Sequence, residues 1–283
     1  MTLDHVLQLS ADLPTFPNVA MQVVKACDDS DTTARSLSKL VAEDPSLTTR
    51  MLRLANSSFF GMERRINDLS DAIVILGLRN VRHLSLIAST YGWLEGVGLP
   101  RTETTRIWIH SLGMGLGTDM VAKLSPKINA GDGFTAGLLS EIGRVALAVA
   151  MPEATMGAYD VAMCGVSLDD AELQIFGYNH THVGAALAES WAFPYEIVET
   201  IRYHHTPDEG GHAHLLAACA HVADGLLSLM GLGYGRDGVI SELSDAALEQ
   251  LGLNADDLDQ IINPFVEEYE RHECMCQGMH QAA

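Results

Sequence analysis

DPSLTTRMLRLANS, residues 44–57, decides how the fold is read. Asp44 can accept from an orphan amide at a helix start, and Pro45 suits the first helical position. Leu47, Met51, Leu54 and Ala55 then recur at three-and-four spacing on one face. The same period holds on either side of this stretch. Ser70 is expected to cap a helix whose Ile73 and Leu76 share a stripe before Gly77 ends it, and Val81, Leu84, Ile87, Ala88 and Tyr91 continue as another. Further helices are predicted at about 104–124, 133–150, 167–176, 181–191, 194–205, 213–230 and 255–271. Ser167 with Asp170 forms a capping box, and Pro194 sits where a helix begins. Alternating β-branched runs bounded by turn signals are missing, so the expected class is all-α. The pattern breaks around Gly96-Val97-Gly98-Leu99-Pro100, which separates an N-terminal helical lobe, residues 1–98, from a larger lobe, residues 99–283, with a C-terminal helix and tail.

Composition narrows the class of function. Across 283 residues, 37 acidic side chains face 17 basic ones, a formal charge of −20 that counts against a protein coated in nucleic acid. With 47% apolar residues and only 9 prolines, disorder is excluded. The first twenty residues lack a basic start followed by an apolar run, and about eighteen consecutive uncharged apolar residues are not found elsewhere, so a cytoplasmic protein with no membrane attachment is expected. Five scattered cysteines fit free thiols in a reducing compartment. The acidity is polarised. Residues 45–94 hold Arg50, Arg53, Arg64, Arg65, Arg79 and Arg82 against Glu63, Asp68 and Asp71, whereas from 239 onward ten acids face one arginine. The basic stretch is the expected docking side for an acidic protein partner or a phosphorylated ligand.

Several motifs yield to plainer explanations. Gly233-Tyr234-Gly235-Arg236-Asp237-Gly238 fits GxGxxG, but it follows a helix and no βαβ unit surrounds it, so it reads as an inter-helix loop. Gly113, Gly115 and Gly117 lie inside a predicted helix and imply close helix packing. The tail with His272, Cys274, Cys276 and His280 offers zinc-compatible ligands without a recognised spacing, and a frayed terminus explains it better. Ile261, Ile262 and Phe265 give the last helix an apolar side expected to pack on its own domain. The twelve histidines carry the strongest signal. His110, His180, the adjacent His204 and His205, and Asp224 come from four different helices of a bundle, from which imidazoles and carboxylates can converge on a cation that activates water against a phosphoryl centre. Positions 197, 201, 204 and 205 share a face, so both adjacent imidazoles should be partly buried beside Ile197 and Ile201. His180 and His182 diverge by about 200° on a helix, so only one can face a site. His180 is chosen, and His182 goes to the surface.

Leu13-Pro14-Thr15-Phe16-Pro17, Asp44-Pro45-Ser46-Leu47-Thr48, Leu52-Arg53-Leu54-Ala55-Asn56-Ser57, Ala72-Ile73-Val74-Ile75-Leu76-Gly77-Leu78 and the segment from Gly177 to His205 resemble the HDOD family, a regulatory relative of the HD and HD-GYP phosphohydrolases. The resemblance runs from about residue 10 to 230. It implies an N-terminal bundle packed on a degenerate HD-like bundle. In catalytic relatives an imidazole on the helix matching His110, a consecutive His-Asp pair, further histidines and a late Asp bind one or two metals. Here Ser140-Glu141 stands where the His-Asp pair would be. Serine is a poor ligand at neutral pH, and Glu141 is one methylene longer than Asp, so hydrolysis should be lost or feeble. His110, Glu141, His180, His204, His205 and Asp224 remain as a vestigial site for one divalent metal (Fe, Mn or Zn) or as a buried polar cluster.

The functional expectation is a non-catalytic signalling module acting through protein contacts, with a vestigial metal or nucleotide pocket. The alternatives are a weak metal-dependent phosphohydrolase of nucleotides or cyclic dinucleotides, and a nucleic-acid-binding regulator using the N-terminal lobe.

Overall fold

Asp44 caps its helix as expected: its Oδ1 accepts from the amides of Ser46 and Leu47 at 2.8 and 2.9 Å. The structure, a computed structural model, describes residues 8, 16–56, 66–128, 133–209, 214–232 and 243–281, with the side chains of the last helix described to residue 271. Arg64, Arg65, the glycine loop at 233–238 and the side chains of the Cys274/Cys276 tail lie outside the described residues.

Residues 14–96 form one unit. Its helices are α1 (Asn18–Asp28), α2 (Ala34–Val41), α3 (Pro45–Ala55) and α4 (Leu69–Gly96), with the first three packed on the fourth. Leu47, Met51, Leu54 and Ala55 are all buried, the stripe that the spacing predicts. Asn56 closes α3 and fastens the returning chain: its side chain donates to the Leu52 and Ile66 carbonyls and accepts from the Ile66 amide, each at 2.7 Å. Ser70 does not cap α4. Asp68 does, accepting from the amides of Ser70 and Asp71 at 2.8 and 3.2 Å, while the Ser70 hydroxyl bonds Ser38 Oγ. Gly77, at φ 76° and ψ 160°, breaks α4 into the two segments read from the sequence.

Residues 97–269 form the second unit. It contains α5 (Arg101–Leu124), α6 (Gly133–Leu139), α7 (Ile142–Ala150), α8 (Pro152–Ala162), α9 (Leu168–Phe176), α10 (His180–Ser190), α11 (Tyr195–Tyr203), α12 (Leu215–Leu229), α13 (Asp245–Leu251) and most of α14 (Ala255–Gln281). The class is all-α. Helix α5 is the axis, with α6 and α12 against it, and α7 crosses α10. Close packing explains the α5 glycines: a Cβ on Gly113 or Gly117 would press on Leu227 or Ala223 of α12 at 2.7 and 2.9 Å. Phe265 and Tyr269 of α14 are buried, so its apolar side packs as expected.

Two predicted helices stop short, with consequences for the site. The stretch 133–150 is interrupted at Ser140-Glu141, where the Ser140 amide and hydroxyl both turn back to the Gly137 carbonyl at 3.2 and 2.8 Å. Helix α11 ends at Tyr203, leaving His204 as its C-cap and His205 just beyond. Two stretches, Leu69–Gly96 and Gly133–Ala150, are long and apolar enough to cross a membrane by length and composition, although charged residues interrupt both. Their most apolar 18-residue windows are 56% and 83% buried, and each stretch is broken internally.

Candidate histidine–carboxylate centre

Glu141 sits in the break between α6 and α7, entirely buried, and the other expected residues converge on it. His110 Nε2, from α5, lies 3.6 Å from Glu141 Oε1 and 3.7 Å from Asp224 Oδ1 of α12. His204 Nε2 lies 3.2 Å from Glu141 Oε1, and His180 Nε2 lies 3.7 Å from Oε2. His205 Nδ1 is 3.5 Å from Asp224 Oδ2, and its Nε2 is 3.1 Å from His180 Nε2. All six residues chosen from the sequence are therefore neighbours. His182 is exposed, and its ring serves the N-terminal cap of α10 with Asn179.

Helix crossings hold this arrangement. A Cβ on Gly143 would overlap the His180 carbonyl oxygen, and one on Gly137 would overlap the Met114 carbonyl oxygen, so α7 meets α10, and α6 meets α5, at backbone distance. Only glycine permits that approach.

Three residues that the sequence reading passed over complete the cluster. Arg144 Nε is 2.5 Å from Glu141 Oε2 and is buried with it. Glu172 Oε2 accepts from the His180 amide at 2.7 Å and from His180 Nδ1 at 2.8 Å. Asp169 lies 3.4 Å from His180 Nδ1. Two of them had a visible signal. Glu172 falls on the stripe Leu168, Glu172, Phe176, an acid on an otherwise apolar face, and Arg144 is the one charge in Ile142–Ala150.

Hydrogen bonds fix the ring orientations. His204 Nδ1 donates to the Ile201 carbonyl at 2.9 Å, which turns Nε2 toward Glu141 Oε1. A proton on Nε2 or a cation between Nε2 and Oε1 would join these two buried atoms 3.2 Å apart. His180 is oriented in the same way by Glu172, the carboxylate–imidazole support typical of a ligating histidine. His221 is committed elsewhere: Nε2 accepts from the Ser244 amide and Nδ1 donates to the His204 carbonyl, so it buttresses the backbone of the site.

The electrostatics follow from burial and from these neighbours. Burial alone would raise the Glu141 carboxyl, but Arg144, then His110, His180 and His204, hold it well below the usual range. Burial would lower His180, yet Glu172, Asp169 and Glu141 raise it to about 9. Burial, with His204 and His180 beside it, pushes His205 well below its ordinary value. Asp169 is raised to about 6, chiefly by burial. A protonated His180 thus donates to both Glu172 and a neutral His205. Ligand atoms of Glu141, His180, His204 and His205 all lie within 4.8 Å of one another, a nitrogen-rich set that suits zinc, iron or manganese.

A helical bundle that gathers imidazoles and carboxylates from six segments around one buried point defines an HD-related protein. The chain belongs to the HDOD family, since the HDOD domain model matches residues 13–207. That span contains five of the six chosen residues and stops before Asp224. Among solved structures, an HDOD domain protein of unknown function from Geobacter sulfurreducens is 24% identical, with a TM-score of 0.78 over 95% of this chain and 97% of that one. A candidate phosphohydrolase from Shewanella amazonensis SB2B is 22% identical, with a TM-score of 0.73 over 96% and 97% of the two chains. A candidate signal transduction protein from Marinobacter aquaeolei VT8 is 22% identical, with a TM-score of 0.78 over 98% of this chain and 61% of that one. These three share the fold. An uncharacterized protein from Treponema pallidum (strain Nichols) is 28% identical over 199 residues, 69% of this chain, and the match spans 38% of that protein's length.

Proposed function

We propose that this chain is a non-catalytic signal-transduction module acting through protein contacts, in which the histidine–carboxylate cluster is an enclosed centre for a single divalent cation. One observation carries the reading: among the described residues, the side chains of Glu141, His180 and His204 have no exposure, His110, Glu172 and Arg144 have 1–3%, and Asp169, Asp224 and His205 have 10–17%. A hydrolase must bring phosphorus within bonding distance of its nucleophile, and a phosphoester has no such access here. Ser140 offers only a neutral hydroxyl, whose proton is held on the Gly137 carbonyl, so it replaces the imidazole with a poor ligand. Arg144 takes Glu141 Oε2, so the carboxylate has one oxygen, Oε1, to share with a cation.

His180, His204 and His205, with Glu141 Oε1, would hold that cation, and when bound it would supply a fixed charge that ties α10, the end of α11 and the α6–α7 break together. Glu172 and the Ile201 carbonyl already orient two of the rings. A cytoplasmic partner with an acidic surface is the proposed contact of the basic N-terminal unit. Arg53 and Arg79 are exposed there and Arg50 is half-buried, but Arg82 is 6% exposed and drops out of the docking side. The retained imidazoles favour one second reading, a feeble phosphohydrolase.

Zinc titration of metal-stripped protein by calorimetry tests the proposal. One equivalent should bind, raise the melting temperature, and be lost in His204→Ala. Two equivalents would favour the phosphohydrolase reading instead.

A further inference from the structure

The 14–96 unit contains a cleft of about 240 Å³ bounded by Asp44, Leu47, Arg50, Ser89, Gly92 and Trp93 among others. It shares no residue with the histidine cluster. Its two charged groups differ in how they are engaged. Asp44 is committed to capping α3 through Oδ1. Arg50, one and a half turns further along α3, makes no hydrogen bond or ion pair to any described residue, and its guanidinium lies on Gly92 so closely that a Cβ there would overlap it. Ser89, one turn before Trp93 on α4, is 2% exposed, and its hydroxyl is buried with no hydrogen-bond partner among the described residues. Buried hydroxyls are ordinarily satisfied, so one lining a cleft beside an uncommitted guanidinium points to a ligand.

We propose that this cleft binds a small organic carboxylate, with the carboxylate on Arg50 and Ser89 and an apolar, planar body against Trp93 and Leu47. A guanidinium fork and a hydroxyl donor match the two oxygens of one carboxylate. Leu47 and Trp93 line the same cleft and supply the apolar part of its wall. Charge selects the monoanion over a phosphate dianion: Arg50 is the single cation lining the cleft and Asp44 shares its rim, so a second negative charge would be repelled without a partner. Gly92 is then explained as the position that must stay bare for Arg50 to lie flat. The inference is independent of the proposed role of the histidine cluster.

The test uses 4-fluorobenzoate as a probe on the full chain, observed by fluorine NMR, with 4-fluorobenzamide as its neutral isostere and inorganic phosphate as competitor. Binding in the millimolar range is expected, weakened about tenfold or more by Arg50→Gln. Ser89→Ala removes an unpartnered hydroxyl, so it should leave the melting temperature unchanged while weakening binding several-fold. Gly92→Ala favours the helix yet displaces the guanidinium, so it should fold and bind poorly. His204→Ala should bind like the parent. Benzamide binding as well as benzoate, phosphate displacing the probe at lower concentration than benzoate does, binding unchanged in Arg50→Gln or Ser89→Ala, or no binding at all would each overturn the proposal.

Discussion

Glu141 and His180 carry opposite titration behaviour within one cluster, and each gives a measurable consequence. Glu141 is buried against Arg144, so Glu141→Ala leaves an uncompensated guanidinium and should cost about 3–5 kcal/mol, read as a shifted denaturation midpoint at constant slope. A cost below about 1 kcal/mol, the range of an exposed pair, would mean that the guanidinium finds water instead. His180 has a folded pKa of about 9, above its unfolded value, so in metal-free protein it contributes stability that is complete below about pH 6.5 and lost as pH rises through 9. Urea melts from pH 6.5 to 9 should show that decline, and zinc should abolish it, because a ligating imidazole must be deprotonated. A metal-free protein that gains stability over the same range would contradict the assignment. Cys219 is fully buried with its thiol pushed up to about 12, whereas Cys164 is exposed. At pH 8 an alkylating reagent read by mass spectrometry should mark Cys164 and spare Cys219 in native protein. Labelling of Cys219 without unfolding would show an opening that the packing does not contain. At this scale the histidines were legible because their types and order stand out, but the ion pair to Arg144 was not, since spacing alone does not reveal what a lone base in an apolar helix meets.

Helix crossings decide whether those side chains meet at all. Gly143 and Gly157 both lie in helices, where intrinsic propensity alone favours alanine at each. A Cβ at Gly143 would overlap backbone of α10, whereas one at Gly157 would meet only the tip of Ile175 at 3.9 Å. Gly143→Ala should therefore lose about 1–3 kcal/mol or more and disturb His180, while Gly157→Ala should gain about 0.5–1 kcal/mol. Equal effects of the two substitutions in denaturant melts would refute the close crossing. The period of apolar residues revealed most helices, including α3 with its cap, and Gly77 as a break. It did not reveal the interruption at Ser140-Glu141, because apolar periodicity runs through 133–150 without a glycine or proline at that point, and the turn is made by Ser140 bonding back to Gly137. The end of α11 before His204 escaped for a similar reason: the buried stripe continues past the last helical residue.

For the molecule as a whole, the formal charge of −20 and the basic bias of residues 45–94 were legible at once, and so was the family, from short motifs spread over most of the chain. What composition did not contain was access: the same residues read as a site in sequence are under protein in the fold. Enclosure separates the signalling reading from the hydrolase reading, so turnover is the direct test. Protein loaded in turn with manganese, iron and zinc should convert cyclic dinucleotides and nucleotides no faster than an Asp224→Ala control under the same conditions. Metal-dependent turnover well above that control, and lost with it, would contradict the account.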